Sequence, residues 1–312
     1  MKPRPRPRDF IQTKENLIFA VVSYFPESDK ILSFLRYVPE GSKFKKVNTK
    51  QAGEILKDKF REYLFYSKKF DAHLHGIPLK NIKKIFYPQE RLRKILDSCE
   101  RDEIEEKILK LTGIFNEKGI PFNKMGISGS VLIKNHNKNS DIDLAIYGTK
   151  NFRKARKILE KLITSGEVLE LNNEQWKENY DRRKPAISYD EFLRHEKRKY
   201  NKGIIDGTKF DLLFVKDTNE IKKDGKNYKK TGKIKVIAEV IDDKFSYDYP
   251  ARYKIKGEFS EVASFTHTYV GQAKKGEVIE VSGIIEEYDG KKRIVVGTTR
   301  EAKGEYIKVV RQ

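Results

Sequence analysis

The residues best suited to chemistry lie between Gly126 and Gly148, in the run GISGSVLIKNHNKNSDIDLAIYG. Asp141 and Asp143 alternate there with Ile142 and Leu144. On a strand, residues i and i+2 share a face, so the two carboxylates would project side by side while the aliphatic pair points into a core. Adjacent carboxylates repel, and a hard divalent cation is the usual reason to hold them together. A third carboxylate, Asp211, sits in Phe210-Asp211-Leu212-Leu213-Phe214, an expensive place for an unpaired charge. If its strand lies beside the first, three carboxylates converge. Such a set suits two magnesium ions clamping the triphosphate of a nucleotide, with Asp211 on the ion nearer the attacking hydroxyl. Upstream, Gly129 lets the backbone approach a phosphate closely, and Ser130 adds a hydroxyl beside free N–H groups at a turn or helix start.

A lone Asp-x-Asp is commonly a solvated turn, and a lone Gly-Ser means little. Together, and followed by an Asp between apolar residues, they resemble the nucleotidyltransferase superfamily that includes DNA polymerase beta, CCA-adding enzymes and minimal nucleotidyltransferases. The resemblance covers roughly residues 101–215, and the whole chain is similar to an archaeal group of predicted nucleotidyltransferases related to the polymerase beta domain. It implies transfer of a nucleoside monophosphate from an NTP to an acceptor hydroxyl, with release of pyrophosphate. It also implies Asp141 and Asp143 on both magnesium ions, Asp211 on one of them, and Gly129 and Ser130 at the β- and γ-phosphates. Many relatives carry an Arg shortly after the Ser. Here Val131, Leu132, Ile133 and Lys134 follow, which leaves Lys134 or His136 to supply the positive charge.

The elements that must position these residues are legible in outline. A chain of 312 residues allows two or three domains. Residues 1–8 alternate Pro with Arg, a pattern expected to stay extended and unpacked. Residues 1–87 suggest an α+β module, with strands over 16–25 and 30–38 and a helix capped by Thr49. His73 and His75 lack a third ligand, so surface or satisfied core histidines are expected there.

Residues 88–215 suggest the catalytic domain, with a mixed sheet. Pro88 opens one helix, and Ile104, Ile108, Leu111 and Phe115 mark the next. Strands are expected over 122–127 and 141–147, then a helix buried through Phe152, Ala155, Ile158, Leu159 and Leu162. Ser188 and Glu191 form a capping box for a helix that carries Arg194 and Arg198 on one face. Because that helix leads into the hairpin 204–215, its cations are candidates for triphosphate or acceptor contacts. Trp176 is expected in the core.

Residues 216–232 resemble a linker, and 233–312 a small β-barrel, one candidate being an oligonucleotide-binding barrel with Phe265, Tyr269 and Tyr288 for base stacking. The fold class is therefore α/β (α+β), with three parts.

The net charge of +20, from 66 Lys plus Arg against 46 Asp plus Glu, favours a polyanionic acceptor, RNA or DNA. A protein or small-molecule acceptor is the alternative. An inactive fold that only binds nucleic acid is disfavoured, since idle buried acids are costly. Abundant Lys and Glu with one Cys and two Met fit a heat-adapted organism. The single Cys99 excludes an internal disulfide and fits a reducing cytoplasm. With no apolar run of membrane-spanning length and no apolar signal core, a cytoplasmic protein without a membrane partner is expected.

Overall fold

The computed structural model describes residues 4–222, 225–299 and 302–311. The described residues are α+β and fall into two compact units. One is drawn from Met1–Ser67, His73–Glu170 and Asn201–Lys223, the other from Lys68–Ala72, Leu171–Tyr200 and Asp224–Gln312. Among them no helix is long and apolar enough to cross a membrane.

The first unit opens with β1 (Phe10–Thr13), β2 (Ile18–Val21), β3 (Lys30–Glu40) and β4 (Lys43–Lys46), then α1 (Thr49–Lys59), β5 (Leu64–Ser67), β6 (Ala72–Pro78) and β7 (Ile82–Phe86). The strands form one sheet in the order β5-β6-β3-β2-β1-β7, with β4 on β3. Ala52 and Leu56 of α1 pack against Ile11, Phe19, Leu35 and Tyr63 to close its core. The helix is capped by Asn48, one residue before the expected Thr49, through a reciprocal box with Gln51. His75 is a satisfied core histidine: its Nδ1 accepts the Leu35 N–H at 2.9 Å, and burial pushes its pKa down to about 4.

The same unit continues through α2 (Pro88–Leu96), α3 (Glu103–Glu117), β8 (Met125–Ile127), the single turn α4 (Gly129–Leu132), β9 (Ile142–Tyr147) and α5 (Thr149–Ser165). It ends with the hairpin β10 (Lys202–Ile205) and β11 (Thr208–Val215). The second sheet has the order β10-β11-β9-β8. Only β9 and β11 are parallel in it, and a parallel pair requires a crossover connection. The crossover begins with α5, whose buried face is the expected Phe152, Ala155, Ile158, Leu159 and Leu162. The strand expected over 122–127 is shorter, because Phe122–Lys124 forms a 3-10 turn after Pro121.

The two sheets meet at the turn after β8. Leu132 and Ile133 join Phe10, Ile18 and Tyr37 in one buried cluster, and the Asn135 side chain bonds the Phe44 backbone in both directions, at 3.0 and 2.8 Å. Residues 4–9 also pack, contrary to the extended, unpacked tail expected over 1–8, of which residues 1–3 lie outside the described residues. Pro7 and Asp9 are buried. Arg6 donates to Gln89 Oε1 at 2.7 Å and lies over the Tyr147 ring at 4.4 Å. The repeat hides a turn: the Arg6 N–H donates to Asp9 Oδ2 at 2.9 Å, and the Asp9 N–H donates to the Arg6 carbonyl at 3.0 Å.

In the second unit, α6 (Asn173–Arg183) and α7 (Tyr189–Lys197) precede β12 (Lys229–Phe245), β13 (Ala251–Ile255), β14 (Glu261–Ser264), β15 (Val278–Tyr288), β16 (Lys291–Val296) and β17 (Tyr306–Arg311). Pairing runs β12-β13-β14-β16-β15 and returns to β12, because β15 also pairs with β12. β16 and β17 share the other edge of β15, pairing with 284–288 and 278–282 respectively. Tyr253, Val262, Ile279, Val281 and Ile294 are fully buried inside. So are two of the aromatics considered for stacking, Tyr269 at 1% exposure and Tyr288 at 8%. Trp176 is in the core, as expected.

Candidate active site

Three local devices build the site. The first is the turn after β8. Gly129 has φ +66°, and a Cβ there would collide with the carboxylate of Asp143. Glycine is therefore required twice, for the left-handed backbone and for the close approach. The Ser128 N–H donates to the Asp143 carbonyl at 2.9 Å, fastening the turn to β9. The second device is the register of β9 and β11, in which Asp143 is the direct partner of Asp211. Side chains in register on adjacent strands share a face, and Asp141, just before β9, adds the third carboxylate. The third device is the two-residue turn at Asp206-Gly207. It sets Lys202 opposite Asp211 on β10.

The electrostatics follow from that crowding. Asp143 is pushed up to about 6, first by burial, then by the Asp211 charge, with Arg8 opposing and Asp141 adding to the rise. Lys202 Nζ lies 3.6 Å from Asp211 Oδ1, and Lys209 Nζ lies 3.8 Å from Asp141 Oδ1. Sequence reasoning missed these two lysines, although counting outward from the hairpin turn would have placed Lys202 opposite Asp211. Three half-buried carboxylates, with the charges of Asp211 and Asp141 both raising the pKa of Asp143, are hard oxygen donors, and the set fits magnesium.

A second acidic group is differently built. Asp102, Glu105 and His136 place their ligand atoms within 4.8 Å of one another. Asp102 Oδ1, however, caps α3 by accepting the Ile104 and Glu105 N–H groups, both at 3.0 Å. Its Oδ2 lies 2.8 Å from His136 Nε2, and Glu105 is paired with Arg91. Burial tends to raise Asp102, but the Glu105 N–H and His136 outweigh it and hold the carboxyl low. Asp102 and Glu105 are already engaged by protein partners, while among the described residues His136 Nδ1 has no hydrogen-bond partner.

Thus Gly129, Ser130, Asp141, Asp143 and Asp211 come together at one end of the two central strands of the sheet and the adjoining turn. Ser130 is half-buried, and its carbonyl accepts the Asn135 N–H at 2.9 Å. Lys134 is exposed at the end of α4, with φ +55°. Arg194 and Arg198 belong to the second unit. There Arg194 donates to the Val309 carbonyl at 2.8 Å and Arg198 pairs with Glu277. Their segment, Leu171–Tyr200, packs with that unit although it lies between two strands of the catalytic sheet in sequence.

The nucleotidyltransferase domain family matches residues 108–239, a span that contains all three aspartates and the turn before them. An uncharacterized protein of Methanocaldococcus jannaschii is 42% identical, with the alignment covering 98% of this chain and 99% of its own. No solved structure matches. The turn closed on Asp143 and the parallel pair behind it give these matches a physical basis, and the chain belongs to the nucleotidyltransferase family.

Proposed function

We propose that the protein transfers a nucleoside monophosphate from an NTP to an acceptor hydroxyl on RNA or DNA, in a reaction dependent on two magnesium ions. The register of Asp143 against Asp211, with the Gly129 turn packed on the Asp143 carboxylate, carries this reading. Asp141 and Asp143 would hold both ions and Asp211 one, and the ions when bound would neutralise triphosphate oxygens and acidify the attacking hydroxyl. The chain's own groups do the rest. Gly129 and Ser130 receive the β- and γ-phosphates at a turn where Gly129 itself presents no side chain. Asp211 takes the proton of the hydroxyl as its oxygen bonds to the α-phosphorus and the bond to pyrophosphate breaks. Lys202 and Lys209 restrain the carboxylates beside them.

A nucleic-acid acceptor is favoured by the net charge of +20. The second unit adds to that support: a returning cycle of five strands with one parallel pair, β14 and β16, suits an oligonucleotide-binding barrel. On β12, Lys233, Lys235 and Ile237 alternate on an exposed face, cations beside an apolar surface that a base can cover.

The test is incubation with each labelled NTP and magnesium, together with RNA, DNA and a protein extract. Label on nucleic acid is the expected outcome. Label confined to a protein or metabolite would move the acceptor to that class, and no transfer from any NTP would remove the enzymatic reading.

A further inference from the structure

We propose that Arg8 is a phosphate-binding cation of this site, delivered by the N-terminal segment to the turn that carries Gly129 and Ser130. The inference rests on the nucleotidyltransferase reading above and names a substrate-binding residue that the motif does not contain. Val131, Leu132 and Ile133 are where a cation would ordinarily be sought after the Gly-Ser pair. All three are buried, and Leu132 and Ile133 fill the cluster with Phe10, Ile18 and Tyr37. The N-terminal sheet has taken Leu132 and Ile133 for packing, so the first cation in sequence after the pair is Lys134, exposed beyond the turn.

The same sheet brings a replacement. The Ser128 hydroxyl, on a residue 3% exposed, donates to the Arg8 carbonyl at 2.9 Å, which ties the Arg8 backbone to the phosphate turn. On either side Arg8 is gripped. Asp9, 1% exposed, receives the Arg6 N–H, and its carbonyl accepts the Val21 N–H at 3.0 Å. Arg6 is held by Gln89 and by the ring of Tyr147, the last residue of β9. Arg8 itself has φ +84°, a conformation that side chains other than glycine adopt only when their surroundings impose it, and one that concentrates at ligand sites. The arginine side chain borne on that tethered backbone ends in a planar guanidinium fork that suits phosphate oxygens.

Inorganic pyrophosphate is the probe, since it tests the phosphate site whichever base the enzyme prefers. Calorimetric titration of the full chain with pyrophosphate in magnesium is compared for the wild type, Arg8→Gly and Arg8→Lys. Glycine accepts φ +84° without strain, so Arg8→Gly should melt no lower than the wild type. Its pyrophosphate affinity should fall roughly tenfold, with Arg8→Lys recovering part of the loss. Equal affinity in the wild type and Arg8→Gly would overturn the assignment while leaving the nucleotidyltransferase reading in place. A lower melting temperature with unchanged affinity would also overturn it, as the mark of a counter-ion needed only for folding. If the wild type bound neither pyrophosphate nor any NTP, the parent reading would fail and this one with it.

Discussion

Two groups of acids in the first unit show how differently a protein can treat neighbouring carboxylates. Asp102 and Glu105 stand at the start of α3, each supplied with partners: backbone N–H groups, His136 and Arg91. Asp141, Asp143 and Asp211 stand at one end of the two central strands of a sheet, where register holds acid against acid and Lys202 and Lys209 lie 3.6 and 3.8 Å from Asp211 and Asp141. The first arrangement lowers a pKa and the second raises one. Proximity of ligand atoms is therefore a poor guide to a metal site when taken alone. The direction in which the acids are shifted tells the two apart, and a carboxyl raised by burial and by other acids marks function more often than structure.

The comparison breaks most visibly in activity. Asp143→Asn should lower nucleotidyl transfer by at least 10²–10³-fold, measured as single-turnover incorporation of labelled NTP, and Asp211→Asn should approach that loss with a milder effect on NTP binding. Asp102→Asn should leave transfer near the wild-type rate. A reversal of these two outcomes would move the catalytic metals to the α3 group.

Stability should respond in the opposite sense. The folded pKa of Asp143 lies above its ordinary value, so the folded state binds more protons between pH 4 and about 6, and stability falls as pH rises through that window. In chelator at pH 7.5, Asp143→Asn should be more stable than the wild type by up to about 3 kcal/mol. The gain should vanish below pH 4 and shrink when magnesium is restored to the wild type. Urea unfolding at the two pH values is the measurement, and a variant less stable at pH 7.5 would show that Asp143 is satisfied without a cation.

The turn offers a subtler break. Gly129→Ala forces a methyl group toward the Asp143 carboxylate at a left-handed position. It should weaken pyrophosphate binding by roughly tenfold while the far-ultraviolet circular dichroism remains that of the wild type. Retention of full affinity would detach the turn from phosphate recognition. The smallest effect belongs to the satisfied group. Asp102→Ala should cost about 1 kcal/mol through loss of the α3 cap, seen as a reduced urea midpoint with transfer unchanged.

What could be read from the sequence was what is encoded at short range. The Asp-x-Asp alternation, the Asp206-Gly207 turn, the buried stripe of α5 and the Ser188–Glu191 box each depend on spacing within a few residues, and the structure contains all four. What escaped was the partner choice of elements whose local pattern is neutral about partners. An amphipathic α7 states that it has a buried face without stating which core receives it, and the partners of Arg194 and Arg198, the Val309 carbonyl and Glu277, lie far off in sequence. Residues 4–9 gave no periodic signal, since their order comes from Arg6, Asp9 and Tyr147, far apart in part of the sequence. Tyr269 and Tyr288 were open to either role, because an aromatic in a short strand has the same spacing whether it faces a base or a core.

The parallel pairing of β9 with β11 has a consequence for the order in which the protein comes into being. The connection between them passes through α5, leaves the first unit at Glu170 and re-enters it at Asn201. On the ribosome, Asp141 and Asp143 emerge well before Asp211, and synthesis proceeds at roughly 5–20 residues per second. For those seconds the nascent chain holds a phosphate turn and two carboxylates without the third. A message truncated anywhere ahead of Thr208 yields a chain without Asp211, and on the proposed roles such a chain would hold NTP without transferring from it.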